Sequence, residues 1–180
     1  MEQTRLDPDF ASTAAMPGAA LPPTVAWLGY GGLVPFLFLA VASVFDQNHV
    51  VYWADGLFGY GAIILSFIGA LHWGFALSLG ATSSEAARAR RDACFAWSVV
   101  PALMAWLALL LPPLLASVLL IAGFLAHYRQ DRRLAAVADL PPWYLPLRLR
   151  LSVVACLCLA VGGLTGFWPH PENLLPVVLI

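Results

Sequence analysis

Tyr60-Gly61-Ala62-Ile63-Ile64-Leu65-Ser66-Phe67-Ile68-Gly69-Ala70-Leu71-His72-Trp73-Gly74-Phe75-Ala76-Leu77-Ser78 holds no acid, arginine or lysine. About 20 predominantly apolar helical residues cross the hydrocarbon core of a bilayer. With its flank back to Asp55, the stretch predicts a membrane span over about 55–79. The same reading extends outward in both directions. It predicts further spans at about 25–45, 93–111, 113–129 and 149–168. The expected fold class is therefore an all-α integral membrane protein, a bundle of five transmembrane helices over residues 25–168. Residues 1–24, rich in Ala, Pro and Thr with no apolar periodicity, predict a disordered N-terminal tail, and 169–180 a short C-terminal tail.

Composition supports this class. Of 180 residues, 61% are hydrophobic and 11% charged, against about 25% charge in a soluble domain. A soluble chain of this length has too much surface for its volume to hide so much apolar side chain. The loops left between five spans are too short for a soluble catalytic domain. No phosphate-binding loop, nucleophile elbow, HExxH or dinucleotide fingerprint is present, so no enzymatic activity is expected. No basic stripe is long enough for nucleic acid. Cys94, Cys156 and Cys158 are an odd set within or beside apolar segments, and read as small buried hydrophobes.

The scarce charge is sorted. All nine basic residues are Arg. Arg5 precedes the first span; Arg88, Arg90 and Arg91 lie between the second and third; Arg129, Arg132, Arg133, Arg148 and Arg150 lie between the fourth and fifth. With alternating crossings these regions share one side, and cytoplasmic loops collect Arg and Lys. The expected arrangement is a multi-pass protein of the bacterial inner membrane, N-terminus cytoplasmic and C-terminus periplasmic. Trp27, Trp53, Trp97 and Trp168 fall near span ends, where indole rings anchor at headgroups, while Leu140-Pro141-Pro142-Trp143-Tyr144-Leu145 reads as an interfacial segment.

Within the quoted stretch, Ala62, Ser66, Ala70, Gly74 and Ser78 recur every four residues and form a stripe of small side chains. Such stripes let helices approach closely in lipid. The face is read as internal packing, or as contact with a second copy or another membrane protein. His72, with Ser66 and Trp73 nearby, is the candidate functional intramembrane residue, about 12 Å deep at 1.5 Å per residue. His127 is its only plausible helical partner. The span ends put the two at depths differing by most of two turns, so no metal ligand and no cofactor is expected. No deep carboxylate is expected either. Arg129, Asp131, Arg132 and Arg133 read as an inner-face basic cluster for topology and anionic lipid.

Ala26-Trp27-Leu28-Gly29-Tyr30-Gly31-Gly32-Leu33-Val34-Pro35-Phe36 resembles the opening of the bacterial domain of unknown function 3429 family, whose animal members are called transmembrane protein 69. Tyr60 to Phe67 with Gly69, His72, Trp73 and Gly74 is similar to the same family, as are Trp97-Ser98-Val99-Val100-Pro101, Asp131-Arg132-Arg133 and Pro141-Pro142-Trp143-Tyr144. The resemblance covers about residues 25–165. It implies a small multi-helix membrane protein and brings no established activity with it. The leading functional expectation is an accessory, assembly or structural membrane protein acting through helix packing, with the lipid bilayer as its surroundings. The alternative is a small transporter or permeation protein centred on His72.

Overall fold

The computed structural model describes residues 20–78, 84–136 and 140–167. Trp168, residues 1–19 with Arg5, and the C-terminal tail lie outside the described residues, while α1 already begins at Pro23. Among those described, every regular element is helical: α1 (Pro23–Gly31), α2 (Val34–Phe45), a 3-10 turn (Gln47–His49), α3 (Val50–Ser78), α4 (Glu85–Ala108), α5 (Pro113–Ala135) and α6 (Tyr144–Phe167).

The first apolar segment is a broken helix. Gly31 and Gly32 are weak helix formers, and Pro35 lacks an N–H and sits in the first turn of α2, where that loss costs little. The break frees the Gly32 carbonyl, which accepts a hydrogen bond from Tyr60 Oη of α3 at 2.9 Å. A side chain from a neighbouring helix thus satisfies a carbonyl at the break. The turn after α2 is closed by Asp46, whose carboxylate accepts from Trp53 Nε1 at 3.0 Å and from His49 Nδ1 at 3.0 Å. The Trp53 indole N–H, and then His49, hold the Asp46 carboxyl below its ordinary range.

Among the described residues, three stretches have the length and apolar composition to cross a membrane: Pro23–Phe45, Gln47–Leu77 and Tyr144–Phe167. The helices α4 and α5 do not reach that composition, because their arginine-rich turns are helical as well. Ser84 caps α4 by accepting from Ala87 N at 3.2 Å, so Arg88, Arg90 and Arg91 lie within its first two turns. Nothing in Arg129-Gln130-Asp131-Arg132-Arg133 interrupts a helix, and α5 runs on to Ala135. Likewise α6 starts at Tyr144, within the segment expected to lie flat at the interface. Between α4 and α5, Pro112 and Pro113 enforce the hairpin turn.

The central helix is α3, which packs against α2, α4, α5 and α6. Leu57 and Leu65 of α3, Phe36 of α2, Leu120 and Phe124 of α5 and Leu159 of α6 form the core. Glycine permits the closest approaches. A Cβ on Gly123 would come within 2.5 Å of Leu65, and one on Gly163 within 2.5 Å of Ser117. The distribution is inverted relative to a water-soluble protein. Trp27, Phe45, Phe67, Trp106 and Leu164 face outward, while His72, His127, Asp131 and Arg148 are buried.

Candidate functional site

The buried histidines, aspartate and arginine among the described residues converge from three helices at the arginine end of the bundle. His127 and Asp131 stand four residues apart on α5, and Tyr144 and Arg148 four apart on α6, so each pair shares one helix face. α3 contributes His72. His72, His127 and Asp131 are fully buried, and Arg148 is 8% exposed.

Asp131 is the hub. Its Oδ2 accepts from Arg148 Nε at 2.9 Å. Its Oδ1 accepts from Tyr144 Oη at 3.4 Å and lies 3.5 Å from His127 Nε2 and 3.8 Å from His72 Nε2. The two imidazoles meet edge to face, with centroids 4.7 Å apart. On the far side of His127, Trp97 Nε1 donates to Nδ1 at 3.4 Å. Within this cluster four buried atoms have no hydrogen-bond partner: both ring nitrogens of His72, Nε2 of His127 and Nη2 of Arg148. So many unsatisfied polar atoms in one place are unusual in a folded interior and call for a function.

This geometry corrects several expectations. His72 and His127 lie at one depth, not most of two turns apart. Because α5 continues to Ala135, His127 is eight residues before its helix end, and His72 is six before the end of α3 at Ser78. Asp131 is the deep carboxylate that was not expected. It does not belong with Arg129, Arg132 and Arg133, which are exposed while Asp131 is buried. Trp97 and Tyr144 turn inward to His127 and Asp131 and are not purely interfacial anchors.

Other predicted residues stay apart from the centre. Ser66 donates to the Ala62 carbonyl of its own helix at 2.8 Å, and Trp73 is half exposed, edge-on to Phe95 at 4.9 Å. The small-residue stripe leaves the interior as it runs. Ala62 is buried, Ser66 half-buried, and Ala70 and Gly74 are exposed; the Ser78 side chain lies outside the described residues. Each four-residue step overshoots a turn by about 40°, so Ala62 and Gly74 differ by about 120° around the axis. His127 was considered as a partner of His72 and set aside on depth, while Arg148, Tyr144 and Trp97 were read as topology or interface residues and not as members of a site. The signal for three of them was the paired spacing His127-x3-Asp131 and Tyr144-x3-Arg148, at the ends of two adjacent apolar segments.

A family described as protein of unknown function (DUF3429) matches residues 21–164. The chain belongs to this family. All residues of the buried centre fall inside the matched DUF3429 region. Among curated relatives, Transmembrane protein 69 of Xenopus tropicalis is 36% identical over 158 residues, covering 83% of this chain and 57% of that protein. Transmembrane protein 69 of Mus musculus is 29% identical over 143 residues, covering 78% of this chain and 55% of that protein. The chain thus spans little more than half the length of these relatives, which are animal proteins rather than bacterial ones. No solved structure matches it.

Proposed function

We propose that this DUF3429 chain is a multi-pass inner-membrane protein that takes up an amphipathic acid from the bilayer: an apolar chain bearing a carboxylate or phosphate head. In this reading it crosses the membrane five times, with the arginine end cytoplasmic. The carrying observation is Arg148 at the edge of an apolar groove. The groove, of about 360 Å³, opens between α1, α2, α3 and α6, and Leu28, Gly29, Phe36, Leu71 and Leu151 are among its walls. That volume lies in the range of small-molecule sites. Trp143, Tyr144 and Arg148, from the start of α6, line the same groove. Arg148 gives its Nε to Asp131 but keeps a buried Nη2 without a partner. A guanidinium accepts a carboxylate or phosphate more readily than any other polar head.

Binding of cis-parinaric acid, a polyene fatty acid, to the full chain in nanodiscs tests this by energy transfer from tryptophan. The free acid is expected to displace the probe and its methyl ester to fail. Gly29→Leu, which fills the groove wall, is expected to weaken binding about tenfold, the factor that 1.4 kcal/mol of lost contact carries. Equal competition by acid and ester, or full binding by Gly29→Leu, overturns the reading. Reporter fusions test the orientation: a C-terminal tag found in the cytoplasm refutes it.

A second reading is an assembly or structural subunit that docks by α3. Its support is that Ala70 and Gly74 face outward and that nothing lies within 4 Å of a Cβ placed on Gly74. Cross-linking in native membranes that returns only monomer removes it. Permeation centred on His72 is less well supported, since His72, His127 and Asp131 are packed together with no exposure.

A further inference from the structure

We infer that His72, His127 and Asp131 form a three-ligand site for a divalent transition-metal ion of the zinc class, with its remaining position open. The three ligands are not groove-lining residues, although Arg148 borders both sites. One ligand atom from each residue can be chosen so that all three lie within 4.8 Å of one another, and all three residues are fully buried.

Hydrogen bonding does not account for this arrangement. The separations of 3.5 and 3.8 Å between Asp131 Oδ1 and the two Nε2 atoms are too long for good hydrogen bonds. They are close to what a shared ion needs: a tetrahedron with bonds of about 2.0–2.1 Å has edges of about 3.3 Å. The Nε2 atoms of both histidines have no other partner, and neither does Nδ1 of His72. Two imidazoles and one carboxylate are the donor set that suits zinc and its neighbours, and three protein ligands leave a position for a further one.

The surroundings resemble an outer shell. Arg148 holds Oδ2 of Asp131 and so directs Oδ1 toward the imidazoles, as outer-shell partners of metal-binding carboxylates do. The Arg148 charge is offset by Asp131, so the ion would enter a locally neutral pocket, which limits affinity and favours an anion in the open position. Trp97 is the built-in reporter. Indole N–H only donates, so its 3.4 Å contact with Nδ1 of His127 fits a metal-free ring that carries its proton on Nε2. Metal at Nε2 moves that proton to Nδ1 and breaks the Trp97 contact.

The test uses the full chain, purified in nanodiscs and stripped with chelator. Zn²⁺ alone is titrated by calorimetry, and Co²⁺ by visible absorption. One equivalent of zinc is expected, with the intense ligand-field bands of four- or five-coordinate Co²⁺ and a change in tryptophan emission that Trp97→Phe abolishes. His72→Gln and His127→Gln should each weaken zinc by more than the about 10–100-fold that loss of an outer-shell partner causes. His49→Ala, at the exposed turn, should leave it unchanged. The wild-type stoichiometry and Co²⁺ spectrum decide the matter even where a variant fails to fold. No zinc in the wild type, a weak octahedral Co²⁺ spectrum, or undiminished zinc in a folded His72→Gln or His127→Gln chain overturns the site. Parinarate binding that persists after chelation separates its failure from that of the groove.

Discussion

Asp131→Asn should be among the most destabilising single changes in this protein, and Arg148→Met should undo most of the damage. Asp131 has no exposed surface, and the Arg148 side chain beside it is 10% exposed. The 2.9 Å contact from Arg148 Nε to Oδ2 neutralises both charges. Taking the carboxylate charge away leaves a guanidinium in an apolar interior, a loss of about 3–5 kcal/mol. For a chain of this length each kcal/mol moves the melting temperature by about 2–4 °C, so a fall of roughly 6–20 °C is expected. Replacing both charges by apolar side chains of similar size is about neutral, or stabilising by up to about 4 kcal/mol, and an amide at position 131 keeps Tyr144 Oη as a donor to its oxygen. Asp131→Asn with Arg148→Met should therefore melt near the wild type. Thermal exposure of the thiols gives a direct assay in mild detergent, since Cys94 and Cys158 are buried in the folded bundle. A thiol-reactive dye reports their release. The reasoning is refuted if the two single changes add in the double variant, because additivity means that the charges do not face each other.

Three other consequences follow from local geometry. Gly163→Val should cost about 1–3 kcal/mol, because its Cβ would stand 2.5 Å from the Ser117 Cβ, while Gly74→Ala, with nothing within 4 Å, should be silent in the same melting assay. Tyr60→Phe removes the side-chain donor to the Gly32 carbonyl at the break between α1 and α2, and should lower stability by about 1–3 kcal/mol; an unchanged melting temperature means that the carbonyl finds another partner. Asp46 favours its ionised form in the folded state, so the contribution of its turn is present at neutral pH and is lost as pH falls through the lowered carboxyl value. Asp46→Asn should remove that acid-side change in Trp53 emission, and a pH profile identical to the wild type would contradict the assignment.

Periodicity and apolar run length made the helical bundle legible, because a membrane helix must satisfy its backbone internally and show apolar side chains to lipid. The apolar stretches around Phe36, Leu65 and Leu159 therefore announced themselves. Helix ends were less legible. The charged turns Arg88-Ala89-Arg90-Arg91 and Arg129-Gln130-Asp131-Arg132-Arg133 read as loops by hydropathy, yet Arg, Gln and Ala are good helix formers, and both turns are helical. That error of about one and a half turns separated His127 from His72 and left Asp131 on the surface.

By itself, then, the sequence determined the solvent, the helical class and the unusual position of His72. Only the tertiary structure decided what His72 faces. Local spacing ties His127 to Asp131 and Tyr144 to Arg148, since residues four apart share a helix face. Nothing in the chain's local pattern specifies how α3, α5 and α6 are rotated about their own axes. That rotation is set by close packing, with Gly123 admitting Leu65 and Gly163 admitting Ser117. The same packing turns Ala70 and Gly74 outward and brings two histidines, an aspartate and an arginine together in the interior.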